Sequence, residues 1–184
     1  MRFARRAVVA MLVVLFCAGA ARMPAAGVLL DQFGNQVPAS ELSGHYLLVY
    51  FGYTSCPDIC PSTLTVISAV LKQLGPKGSG LRVYFVTVDP ARDTTAVLRD
   101  YLGHFDPRIT GLTGSPGDLA AAARKFGVAV QPGATGGNVG HGVFIYFVGP
   151  DGRVLQAFHP RSSAELILES IRAAMAAPHG GAAS

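Results

Sequence analysis

The stretch FGYTSCPDICPSTL, residues 51–64, sets Cys56 and Cys60 four apart, each followed at once by a proline, behind the apolar run LLVYF. Thiolates do two things well: they attack disulfides and they bind soft metals. A third use, a stabilising bridge, fits poorly, because so short a loop constrains the unfolded chain little. The usual thioredoxin-type redox motif has two intervening residues, whereas Pro57, Asp58 and Ile59 stand between these cysteines. A wider pair splays more easily around an ion, yet it can still close into a disulfide if the loop bends, so both chemistries stay open.

A metal site needs further donors. Of the three cysteines in the chain, Cys17 lies in an apolar N-terminal run, which leaves Cys56 and Cys60 and excludes a closed Cys-rich zinc site unless histidines or carboxylates complete it. Two thiolates with one imidazole suit copper: thiolate favours Cu(I), and imidazole is acceptable to Cu(I) and Cu(II). Asp58 is a hard donor beside two soft ones and is expected to shape the loop, with Ile59, rather than bind. His45, His104, His159 and His179 read as surface residues. His141 differs, standing at the junction of the glycine-rich segment QPGATGGNVG, residues 131–140, and an apolar strand, where it reads either as a ligand or as a loop histidine in solvent.

Elements must bring these groups together. GVLLDQFGNQV reads as a short hairpin turning at Gly34 and Asn35, followed by a buried strand from Leu47 to Phe51. Leu64, Ile67, Leu71 and Leu74 fall at helical spacing, with Pro61 suited to the first helical position and Gly75 to the C-terminal cap. That placement puts both sulfurs near the positive end of a helix dipole, which favours thiolate. LRVYFVTVD is a second strand; Asp93 can cap a helix whose inner face is Val97, Leu98, Tyr101, Leu102 and Phe105. A strand at residues 109–112 precedes a helix capped by Ser115 and ending near Gly127. VFIYFV and RVLQAF, joined by GPDG, form a hairpin, and an amphipathic helix runs from Ser163 to Ala176.

The order implies an α/β, thioredoxin-like fold with an N-terminal hairpin and an inserted strand-helix segment. In such a fold the loop after the first core strand emerges at the carboxyl edge of the sheet, where binding sites collect. A proline usually faces the cysteine pair just before the strand that here follows Gly140, His141 and Gly142; an imidazole is offered instead.

The 184 residues, 50% hydrophobic, suit one domain plus a short extra segment. The net charge of +4 is scattered, so no nucleic-acid partner is expected. Arg2, Arg5 and Arg6 precede AVVAMLVVLFCAGA, whose Ala18-Gly19-Ala20 end resembles a cleavage site. Residues 1–24 therefore read as an export signal, cleaved or kept as a short membrane anchor; Phe16 before Cys17 does not fit a lipobox. Residues 25–177 form the expected domain, and residues 178–184 a disordered tail.

Four stretches, YFGYTSCPDICP, TVDPARDT, FDPRITGLTG and HGVFIYFVGPDGRV, together resemble the Sco/SenC family of copper proteins, which help load copper into cytochrome c oxidase. The resemblance implies an exported or membrane-tethered domain, in the periplasm or on the inner membrane facing it, that binds copper through Cys56, Cys60 and His141. It implies as partners the copper-receiving subunit of the oxidase and other copper chaperones, and as cargo Cu(I) and possible Cu(II). Asp89, at its strand end, is read either as steering a cation or partner or as a turn residue before Pro90. Two departures stand out: Gly140 replaces the aspartate usual before the histidine, and Ser55 a frequent histidine before the first cysteine. The leading reading is a metal-binding chaperone rather than an enzyme. The alternative is an extracytoplasmic thiol-disulfide oxidoreductase, with Cys56 and Cys60 its redox-active pair; a thiol peroxidase is a third.

Overall fold

The computed structural model describes residues 28–128 and 144–176. Along the chain run β1 (Leu29–Asp31), β2 (Gln36–Val37), β3 (Tyr46–Gly52), α1 (Ile59–Leu74), β4 (Leu81–Thr87), α2 (Thr95–Leu102), β5 (Ile109–Thr113), α3 (Pro116–Arg124), β6 (Ile145–Val148), β7 (Val154–Phe158) and α4 (Ala164–Ala176). Among the described residues the strands make one mixed sheet in the order β2-β1-β5-β4-β3-β6-β7. The export segment, Cys17, the loop of residues 131–140, His141, His179 and the tail lie outside the described residues.

β3 is an interior strand, parallel to β4 and antiparallel to β6. All of its residues are buried, as expected of an unbroken apolar run covered on both faces. The crossovers β3-α1-β4 and β4-α2-β5 step in the same direction across the sheet, and right-handed connection then puts α1 and α2 on one face. There Leu64, Ile67 and Leu71 of α1, Leu98 of α2 and Ile171 of α4 pack with Leu48, Tyr50 and Phe85. The Tyr46 hydroxyl fastens α4 to β3 by donating to the Ala174 carbonyl at 2.8 Å. On the opposite face Leu119 and Ala123 of α3 pack with Val49, Phe51 and Val86.

The thioredoxin-like arrangement, the N-terminal hairpin and the inserted β5 and α3 follow the sequence reading. Several details do not. α2 buries Leu98 and Leu102 but leaves Val97 exposed, and it ends at Leu102, so Phe105 packs from the loop beyond. Thr94, not Asp93, caps α2: its side chain accepts from the Val97 N–H. α3 ends at Arg124, before Gly127, which turns the chain with φ +68°. Among the described residues no helix is long and apolar enough to cross a membrane.

Candidate metal centre

β3 delivers the chain into the cysteine loop at the carboxyl edge of the sheet, and α1 takes it up at Ile59. Asp58 is the N-cap residue, without a side-chain capping bond, so Cys60 and Pro61 are the second and third helical residues. Pro61 thus stands two positions deeper than the sequence suggested. None of the first helical N–H groups has an intrahelical partner, so a missing N–H is tolerated there too. The shift carries Cys60 into the buried stripe of α1, only 2% exposed, while Cys56 stays in the loop at 8%. The Cys56 N–H donates to the Tyr53 carbonyl at 3.2 Å, closing the turn.

Both sulfurs are free thiols, but they are not equivalent. Burial alone would raise the Cys56 thiol. The N–H of Cys60, the Cys60 thiol and the N–H groups of Asp58 and Ile59 outweigh it, holding Cys56 below its ordinary value. Cys60 goes the other way. Burial, opposed by the Tyr50 hydroxyl and the Tyr53 N–H and reinforced by Cys56, pushes it up to about 12. The expectation that the helix start favours both thiolates is therefore corrected: the backbone donors converge on Cys56, and Cys60 is too deeply buried to share the benefit.

Three aromatic or small residues shape this pocket. Tyr50, on β3, donates its hydroxyl to the Cys60 sulfur at 3.5 Å. Tyr101, on α2, has a buried hydroxyl with no hydrogen-bond partner among the described residues, and its acidity is lowered by burial and by Cys60, Cys56 and Asp93. Such an unpartnered buried hydroxyl is uncommon in folded proteins. Gly52 leaves room for Cys60: a Cβ there would stand 2.7 Å from Phe85 Cε2 and 3.0 Å from Cys60 Sγ. We expect Gly52→Ala to destabilise the fold by roughly 1–3 kcal/mol through overpacking against Phe85 and Cys60. Thermal melts check this; a variant with wild-type Tm overturns it.

Among the described residues no third histidine, cysteine or carboxylate joins the pair in a metal-holding group. His45 is half-buried before β3, His104 is exposed, and His159 is exposed with its Nδ1 accepting from the Arg161 N–H at 3.2 Å. Asp89 serves its turn: its carbonyl accepts from the N–H groups of Arg92 and Asp93, and its carboxylate pairs with Arg92, which blunts any steering of a cation. Ser55 is exposed. β6 begins at Ile145, opposite Tyr50 of β3, so the strand that follows His141 in sequence starts at the edge where the cysteine loop leaves. The residue that sequence reasoning missed is Asp93, whose buried carboxylate reaches Thr54 of the cysteine loop and Thr87 of β4. Only the short spacing of hydroxyl and acid residues in TVDPARDTT hinted at it.

The SCO1/SenC family model matches residues 19–176. The chain is 38% identical over 155 residues to the Protein SCO2 homolog, mitochondrial, of Bos taurus, a match covering 81% of this chain and 58% of that protein. It is thus similar to somewhat more than half the length of that relative. To the SCO2-like protein of Rickettsia felis it is 36% identical over 149 residues, covering 78% of this chain and 73% of the relative. The structure of Bradyrhizobium japonicum ScoI with copper bound superposes with a TM-score of 0.70 at 35% identity, over 80% of this chain and 96% of that one. A thioredoxin-like sheet with a free cysteine pair at its carboxyl edge, matched by sequence across residues 19–176, places the chain: it belongs to the SCO1/SenC family.

Proposed function

We propose that this chain is a copper chaperone that takes copper as cargo on Cys56, Cys60 and His141 and helps to build the copper site of cytochrome c oxidase, working outside the cytoplasm. The observation that carries the reading is the pair of buried, unbonded thiols at the entry to α1, Cys56 held below its ordinary value by the N–H groups around it and Cys60 pushed up by burial. Two soft donors, one of them beside the Tyr50 hydroxyl, fit Cu(I) far better than a hard cation. Support comes from relatives of the same fold that hold copper, those of Bradyrhizobium japonicum and yeast among them. The arginine-led N-terminal segment is the support for export, either to the periplasm or to the periplasmic face of the inner membrane.

A second reading draws on the same asymmetry. A thiol held below its ordinary value near the loop surface, with a more deeply buried high one behind it, is also the arrangement of an attacking and a resolving cysteine. Copper titration separates the two. The reduced domain, from about Ala25, should take one Cu(I) per chain against a calibrated chelator. Binding at Cys60 must release the proton that burial holds there, so affinity should rise by at least about tenfold per pH unit across the neutral range, falling as pH falls. Absence of stoichiometric Cu(I) leaves the oxidoreductase reading; an affinity independent of pH shows that Cys60 is not bound as thiolate.

A further inference from the structure

We propose that Asp93 is a positioning residue that holds the cysteine loop in its donor-ready shape. Its carboxylate, fully buried, accepts three hydrogen bonds. One oxygen takes the Thr54 N–H at 3.1 Å and the Thr87 hydroxyl at 2.5 Å, and the other takes the Thr54 hydroxyl at 2.6 Å. The Thr87 oxygen accepts in turn from the Asp89 N–H at 2.9 Å, and the Asp93 N–H donates to the Asp89 carbonyl at 2.9 Å. One anion therefore joins the last residue of β4, the turn before α2, and the loop two residues ahead of Cys56.

A buried carboxylate is tolerated only when its acceptor sites are filled, and here every partner is a donor. The arrangement fixes Thr54 at two points, backbone and side chain, so that neither its backbone nor its rotamer can drift. The far end of the loop is fixed as well, at Asp58 and Ile59, by the start of α1. Ser55, Cys56 and Pro57 are all that lies between the two anchors. With both ends held, the Cys56 sulfur stays before the N–H groups of Asp58, Ile59 and Cys60. With Thr54 released, the loop loses one anchor and the sulfur swings away from those donors. Asp93 touches neither sulfur; it acts through Thr54.

The test rests on the copper reading in one arm and is independent of it in the other. Cu(I) retention is measured by chelator competition, and the rate of Cys56 alkylation by iodoacetamide is measured on the reduced, metal-free chain. Asp93→Ala should lose about tenfold or more in retention, the range seen when an outer-shell partner of a metal site is removed, and should alter the alkylation rate by about threefold or more. Thr54→Val, which keeps the shape and removes the hydroxyl, should shift both readouts in the same direction by less. Asp93→Asn keeps the shape and an acceptor oxygen, and should return both readouts to within about threefold of wild type. Ile171→Ala, in the α4 core, should lower Tm while leaving both readouts unchanged. A folded Asp93→Ala with wild-type retention and alkylation overturns the proposal, as does an Ile171→Ala that loses copper equally. If Asp93→Ala does not fold, Thr54→Val decides. If the wild type takes no copper, the chaperone reading fails and the alkylation arm alone judges Asp93.

Discussion

Cys56→Ser and Cys60→Ser should each abolish copper retention in a chain that still folds. The loss should exceed the roughly 10–100-fold that removal of an outer-shell partner costs, because a hydroxyl stays protonated at neutral pH and offers Cu(I) a hard oxygen. The cost in stability should be small by comparison. Cys56 lies in a loop, and a serine there can still accept from the N–H groups of Asp58, Ile59 and Cys60. Cys60 is part of the α1 core, but a serine at that position can exchange hydrogen bonds with the Tyr50 hydroxyl, so the fold should lose on the order of 1 kcal/mol. Circular dichroism melts and competition against a calibrated Cu(I) chelator measure the two effects separately. Both variants should also stop cycling with a small dithiol, since each lacks either the attacking or the resolving sulfur. A folded serine variant that keeps wild-type copper overturns the assignment of that cysteine.

The fold was legible because its strong signals are local and periodic. LLVYF and YFVTV read as buried strands whatever surrounds them, and the spacing of Leu64, Ile67, Leu71 and Leu74 determines which face of α1 turns inward. Gly75 ends α1 with φ +56° and Ser115 caps α3 by accepting from the Asp118 N–H, both as the sequence indicated. Signals that compete locally misled. In TVDPARDTT, Asp93 and Thr94 are adjacent residues of equally good capping type. The choice between them is made by Thr54, 39 residues away, which draws Asp93 into the interior and leaves the cap to Thr94.

The site divides the same way. That Cys56 and Cys60 share one loop at the sheet edge follows from strand, turn and helix order alone. That they differ in proton affinity does not, since it depends on one extra helical residue before Cys60 and on the burial that follows from it. Helix-start arguments treat the two sulfurs alike, whereas the N–H groups of Asp58, Ile59 and Cys60 all donate to one of them. Gly52 carried no signal in the sequence, just beyond the strand read from Leu47 to Phe51; its lack of a side chain matters because Phe85 and Cys60 Sγ occupy the space.

His141→Ala should separate chaperone from oxidoreductase. Two thiolates alone leave copper under-coordinated and open to competing thiols, whereas disulfide exchange needs only an attacking and a resolving sulfur. Losing the imidazole should therefore weaken copper retention by about tenfold or more, at the least the cost of a lost outer-shell partner, while the Cys56 and Cys60 pair still cycles with a small dithiol. His159→Ala is the matched control: His159 follows β7 at the same sheet edge, with Phe158 opposite Ile145, but it is exposed and its Nδ1 already accepts from the Arg161 N–H. That variant should retain copper as the wild type does. Retention against a calibrated chelator and assembly of the copper-dependent oxidase in cells are measured for both. Should His141→Ala hold copper like the wild type and support full oxidase assembly while Cys56→Ser and Cys60→Ser fail, the imidazole is not a working ligand. The pair then acts by thiol exchange on its recipient, and the oxidoreductase reading replaces the chaperone one.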